Sequence, residues 1–232
     1  MRKMLSVCLL LMLILTGCRS SLYQDIAIDW VDFVKWNGVE YDGIFNGVLA
    51  DESFLDKKIG EVKFQVADHV SDPEYKTKDG DAAFHEKGTP IYSLKGESDI
   101  IALKSSDSIK GYSVYYSREG KKYRWRFQDM PIDKVVKIEI YQLQPSNTKE
   151  RLTELNNSEQ ISHFIQIFKN SKESPNFQPN TEKGDPLFYQ VVFYTGEAIA
   201  YLQNLQYDGY TYYWFPNETA TLANEIEDFF RK

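Results

Sequence analysis

The stretch Leu187-Phe188-Tyr189-Gln190-Val191-Val192-Phe193-Tyr194-Thr195, then Gly196-Glu197, then Ala198-Ile199-Ala200-Tyr201-Leu202-Gln203-Asn204-Leu205, reads as two strands folded back at Gly196. Both runs are rich in β-branched and aromatic residues, which fit a pleated, half-buried surface. Asp208-Gly209 supplies a second turn, and Tyr210 to Phe215 a third strand. Strands joined by such short turns can only pair antiparallel.

The flanks of this stretch extend the pattern. Val135 to Leu143 is a strand with Val136, Ile138 and Ile140 on one face and Lys137 and Glu139 on the other. Asn157 with Gln160 makes a helix start like a capping box. Ile161, Phe164, Ile165 and Phe168 then repeat at i, i+3, i+4 and i+7, an amphipathic helix. Ser171 to Asp185 is a polar, Pro-bearing loop, and Pro216-Asn217 opens a last helix with Leu222, Ile226, Phe229 and Phe230 inward. The order β-α-β-β-β-α predicts an antiparallel sheet with its helices on one face.

Residues 26–129 read as mostly strand. Val39 to Phe45 lies between the turn dipeptides Asn37-Gly38 and Asn46-Gly47, and Ile59 to Val66 alternates with period two. Thr89 to Leu94 and Asp99 to Lys104 are shorter candidates. Tyr112 to Tyr116 and Lys122 to Phe127 flank Ser117-Arg118-Glu119-Gly120-Lys121 as a hairpin. Residues 68–88 form a long loop rich in Asp, Lys and Gly. Asp129-Met130-Pro131-Ile132-Asp133 marks the boundary. The fold class is α+β: a mostly antiparallel β domain over 26–129, a small barrel or curled sheet, then the α+β domain over 130–232.

The chain has 232 residues, with 27 Lys+Arg against 34 Asp+Glu and a net charge of −7. That balance argues against a nucleic-acid partner, which needs a basic surface. Two cysteines exclude a disulfide-dense scaffold and a four-cysteine zinc site. Both lie in the N-terminal segment. Arg2 and Lys3 precede an apolar run over residues 4–15, too short for the roughly 20 residues of a spanning helix but suited to a secretory signal.

Leu15-Thr16-Gly17-Cys18 resembles the lipobox of bacterial lipoproteins. The resemblance implies removal of a signal peptide over 1–17, diacylglycerol on the Cys18 sulfur, and a lipidated tether over 18–25. With Trp36-Asn37-Gly38-Val39-Glu40-Tyr41, Asp79-Gly80-Asp81-Ala82-Ala83-Phe84 and Lys87-Gly88-Thr89-Pro90-Ile91-Tyr92, the chain resembles small surface lipoproteins of low-GC Gram-positive bacteria. Such a protein is expected on the cell membrane, lipid-anchored at its extracytoplasmic face. Its partners would be the membrane, through Cys18, and a wall polymer or surface protein.

Catalytic signatures are sparse. No Walker A, G-x-G-x-x-G, G-x-S-x-G or H-E-x-x-H motif is present, and Ser146-Asn147-Thr148-Lys149 matches S-x-x-K without its companions. His69 and His85 join Asp68, Asp72, Asp79, Asp81 and Glu86 in the 68–88 loop, which reads as a solvated acidic loop rather than a metal site. No cofactor is expected. Tyr210, Tyr212 and Trp214 share one strand face and are candidates for recognition, since exposed Tyr and Trp stack on sugars or anchor partners. Lys122, Arg124 and Arg126 form a basic stripe on another strand face, suited to phosphates. The reading is a non-enzymatic binding module; the alternative is a cell-wall-directed enzyme.

Overall fold

A computed structural model describes residues 28–120, 122–146 and 148–230. The expected signal peptide, Cys18 and tether fall outside the described residues. Residues 28–29 and 70–75 belong to a small separate unit, within which Asp72 Oδ1 accepts the Glu74 N–H at 2.9 Å. All else concerns the main unit, which begins at Trp30 and resumes at Lys76.

Among the described residues, sixteen strands and one α-helix build it. The first sheet takes β1 (Phe33–Trp36), β2 (Val39–Gly43), β4 (Leu55–Glu61), β5 (Phe64–Gln65), β6 (Asp81–Ala82), β7 (Pro90–Leu94), β8 (Glu97–Lys104) and β9 (Tyr112–Ser117); β3 (Gly47–Leu49) leaves it. The second sheet takes β10 (Lys137–Leu143), β11 (Lys149–Leu155), β12 (Lys172–Glu173), β13 (Leu187–Tyr194), β14 (Ile199–Tyr207), β15 (Tyr212–Trp214) and β16 (Ala220–Thr221), with α1 (Ser158–Lys169) between β11 and β12. The orders are β4-β7-β8-β9-β2-β1-β6-β5 and β11-β10-β13-β14-β15-β16-β12. Pairing is antiparallel throughout except between β5 and β6. The class is α+β, mostly β, with a curled first sheet as expected.

Turn chemistry places the hairpins where the sequence predicts them. Asn37 and Gly38 both adopt positive φ, 50° and 79°, the pair of left-handed residues that a two-residue hairpin needs. Gly196 and Gly209 likewise take positive φ at the ends of β13 and β14. The Asn157 side chain caps α1, accepting from the N–H groups of Glu159 at 2.9 Å and Gln160 at 3.2 Å. Its stripe Ile161, Phe164, Ile165 and Phe168 is buried against Ile138, Ile140, Val191 and Phe193 of the second sheet.

Four expectations are corrected. Lys122 to Arg126 is irregular and Phe127–Asp129 is a 3₁₀ turn, so no second hairpin strand exists there. The reason is edge occupancy: β9 is paired on one side by β8 and on the other by β2. The second sheet has more strands than expected, since the charged segment β11 pairs along β10 before α1 begins. The last helix is a 3₁₀ segment, Asn224–Phe229, that starts after β16 rather than at Pro216. The 59–66 strand is broken into β4 and β5, with Val62 and Val66 buried on either side of Phe64–Gln65.

The expected boundary at residues 129–133 separates most of one sheet from the other, but β3 crosses it. Leu49, Val48 and Gly47 pair with Ile199, Ala200 and Tyr201 of β14. One apolar cluster contains Ile44, Leu49, Ile100 and Val114 of the first half with Ile140, Phe164, Phe193 and Tyr201 of the second. The opposite face of the second sheet is covered too, by Val48 and Ile109 over Tyr141, Val192, Tyr194 and Leu202. Glu139, expected on a wet face, is therefore buried.

Candidate functional site

Along β14, Ile199, Tyr201, Leu205 and Tyr207 face the apolar cluster under α1. Gln203 holds the same parity and so points into the same interior, where it is 5% exposed. On one side its neighbour is Val191 of β13. On the other side the edge of β14 is shared end to end by two strands. β3 pairs with Ile199 to Tyr201, and β15 pairs with Leu205 to Tyr207. The Leu202 N–H reaches back to the Asn46 carbonyl at 2.9 Å and closes the end of β3. Gln203 stands at the break between them.

A cleft of about 390 Å³ opens at that break. Its floor is aromatic: the Trp214 ring meets Phe168 of α1 edge-on at 4.9 Å and Phe127 at 5.1 Å. Asn46, Ile132 and Pro216 complete the walls, and Arg126, Lys169 and Glu173 carry its charges. Arg126 and Lys169 are exposed and, among the described residues, neither forms an ion pair. Two polar atoms of its lining residues lack partners as well. Trp214 Nε1 and Gln203 Nε2 are buried and have no hydrogen-bond acceptor among the described residues. Each such orphan costs about 1–3 kcal/mol, and native folds keep few of them. Among the described residues, the cleft beside Asp32 and Val48 holds one such atom, Gln190 Oε1, and that beside Tyr41 and Ile59 holds one, Trp36 Nε1.

The sequence candidates separate accordingly. Trp214 and Arg126, singled out for different reasons, meet at this cleft. Tyr212 is core, 3% exposed and stacked on Tyr207 at 4.2 Å. Tyr210 is half exposed at the turn, with Lys183 Nζ 3.9 Å above its ring. Tyr210, Tyr212 and Trp214 thus form no common exposed face; Tyr213, on the opposite side, is buried against Phe177 and donates to Gln206 at 2.8 Å. Arg124 lies 3.8 Å from Glu97 and over the Trp125 ring, while Lys122 is exposed. Without a strand beneath it, the basic stripe is dispersed. Gln203, Lys169, Phe127 and Phe168 were not foreseen. The available signal was Gln203, the polar exception in an apolar row.

Two other polar assemblies bring titratable groups together. In the first, Tyr115 OH donates to Asp32 at 3.1 and 3.2 Å and lies 2.7 Å from His85 Nε2. Burial raises the Asp32 pKa, lowers that of His85, and together with Asp32 drives that of Tyr115 far up. Neutral His85 then donates to a Tyr115 hydroxyl whose own proton is committed to Asp32. That chain pins the His85 loop to the first sheet.

In the second, Glu139 is 1% exposed and held by Lys110 at 3.1 Å, Lys137 at 3.0 Å, Arg151 at 3.2 Å and Tyr141 at 2.7 Å, with Tyr194 donating as well. Burial pushes its pKa up, but the hydrogen bonds from Tyr194, Tyr141 and the lysines outweigh that and hold it at about 2. It is a structural hub, with every oxygen engaged.

The cleft differs from both assemblies in its lining, which brings the cations Arg126 and Lys169 beside partnerless buried donors, with Ser171 and Glu173 also in the wall. Among its described lining residues are one carboxylate and no histidine or cysteine. The chain matches no protein-family model, no curated protein and no solved structure.

Proposed function

We propose that this protein is a lipid-anchored binding module on the extracytoplasmic face of the cell membrane, held there through Cys18, and that its ligand enters the cleft beside Gln203 and Trp214. The anchor rests on the signal-like residues 4–15 and on the lipobox Leu15 to Cys18. Two acyl chains give firm anchoring where one is marginal. The binding role rests on one observation, the pair of partnerless buried donors among the lining residues of an aromatic cleft. An acceptor-bearing ligand offsets that cost when it binds. The cell-wall enzyme reading has only the Asp32–Tyr115–His85 chain in its favour, and the doubly engaged Tyr115 hydroxyl argues against it.

The test uses the full chain. Cys18→Ser should move the protein out of the membrane fraction, and this soluble form should co-sediment with purified wall fragments. Trp214→Phe should weaken that co-sedimentation. Full retention of Cys18→Ser on membranes, as processed protein, would remove the anchor. Binding that is unchanged by Trp214→Phe would remove the cleft.

A further inference from the structure

The chemistry around the cleft specifies more than binding. Resting on the reading of the cleft as a binding site, we propose that its ligand is a small oxyanion, a carboxylate or phosphate, carried on a compact ring or short apolar arm.

The floor and the rim agree in sign. Trp214 Nε1 can only donate and is buried without an acceptor, and the Gln203 amide lining the same cleft holds a second partnerless donor, Nε2. Arg126 and Lys169 stand at the rim without ion-pair partners among the described residues. The end of α1 accounts for a lysine at position 169, because cations favour helix C-termini. Nothing comparable accounts for Arg126. Guanidinium groups grip carboxylate and phosphate oxygens in pairs, and in a partly enclosed site such charge-assisted bonds are the strong ones. Glu173, the one carboxylate among the described lining residues, offsets one of the two rim cations, so the rim keeps a net positive charge.

Size and polarity narrow the class further. A volume of about 390 Å³ lies at the small end of ligand clefts. The faces and edges of Phe127, Phe168 and Trp214 supply apolar contact for about one ring, free or at the end of a larger wall molecule. Both nitrogens are shielded from water, so the ligand reaches them only as the rim shifts. Arg126, Gln128 and Lys169 are the exposed long side chains of that rim.

The test is a proton–nitrogen NMR titration of the soluble Cys18→Ser chain, following the indole N–H signals of Trp30, Trp36, Trp125 and Trp214. Trp214→Phe assigns the fourth. Benzoate, phenyl phosphate and neutral benzamide share a ring and differ in the head group. A saturable shift of the Trp214 signal is expected with benzoate or phenyl phosphate, and the stronger of the two names the oxyanion. Benzamide should bind at least about tenfold more weakly, a difference of about 1.4 kcal/mol. Arg126→Gln, Lys169→Gln and Gln203→Leu should each weaken the anion without unfolding the protein. If Trp214→Phe fails to fold, Gln203→Leu identifies the signal by its local shift.

If benzamide binds as well as the anions, or Arg126→Gln and Lys169→Gln leave affinity unchanged, the oxyanion assignment is overturned while the binding site stands. If no probe moves the Trp214 signal, the oxyanion assignment fails and the cleft loses its place in the binding reading too.

Discussion

Gly47 of the first half lies opposite Tyr201 of the second, in the ladder that joins β3 to β14. A Cβ at Gly47 would sit 2.7 Å from Ile44 Cγ2 and 2.8 Å from Ile199 Cγ2, both on buried side chains. This close approach lets β3 occupy half of the β14 edge and, by ending where it does, open the cleft at Gln203. Gly47→Ala should destabilise by roughly 1–3 kcal/mol, the usual range for overpacking a filled core. Urea denaturation measures it; an unchanged midpoint would mean that β3 is loosely held.

Residues 130–232 expressed alone should not fold cooperatively. They lack β3, and the fragment leaves Ile199 and Tyr201 without the Leu49, Ile44 and Trp125 side chains of their cluster. A sharp thermal transition with native near-ultraviolet circular dichroism in that fragment would disprove the interlock.

Glu139 sets the acid limit. Its folded pKa of about 2 lies below the ordinary 4.5. Folding thus favours the ionised form, and the stability this contributes is complete above about pH 5 and lost as pH falls toward 2. The shift corresponds to about 3 kcal/mol. Glu139→Gln should cost a similar amount at pH 7, because Lys110, Lys137 and Arg151 are left facing a neutral group. Denaturation curves at pH 7 and pH 3 should then differ less for the variant than for the wild type. An equal acid sensitivity in both would assign the effect to other carboxylates.

Gln203→Leu separates ligand binding from stability. Removing an unpaired buried amide and filling its space with an apolar side chain should raise stability by about 1 kcal/mol, seen as a rise of a few degrees in melting temperature. A residue kept for the fold would lower it instead.

Asp208 anchors the long polar loop. Its carboxylate is 4% exposed and accepts from the N–H groups of Asn180 at 2.8 Å, Tyr210 at 3.0 Å and Thr211 at 2.8 Å. Burial alone would raise its pKa, but these backbone donors bring it below the usual carboxylate value. Asp208→Ala should cost about 2 kcal/mol and make residues 174–186 the first site of limited proteolysis. Uniform protease resistance would show that the loop is held by other contacts.

Local signals carried the hairpins and the helix. Asn37-Gly38, Gly196 and Asp208-Gly209 act through backbone conformations that few residues tolerate, and Asn157 caps α1 through atoms two and three residues away. These depend on nearest neighbours along the chain and are therefore legible in it. Gln203 stood in the sequence as the polar member of the row Ile199, Tyr201, Leu205 and Tyr207, but apolar Ala200 and Leu202 on the other face hid which side was inward.

Partner choice between strands was not legible. Lys122 to Phe127 alternates as well as any strand here, but β9 had no free edge to offer it. The charged β11 looks unlike a buried strand, and it pairs because it lies at the sheet edge, where charges are tolerated and protective. Glu139 alternates onto what reads as a solvent face until β3 and Ile109 cover it. The cleft is of the same kind. Gln203, Trp214 and the adjacent pair Arg126-Phe127 come from three separate stretches, and they meet because β3 and β15 divide one edge of β14. A break in a ladder between distant segments leaves no periodic trace in either segment, since hydrogen bonding across a sheet depends on where the chain returns.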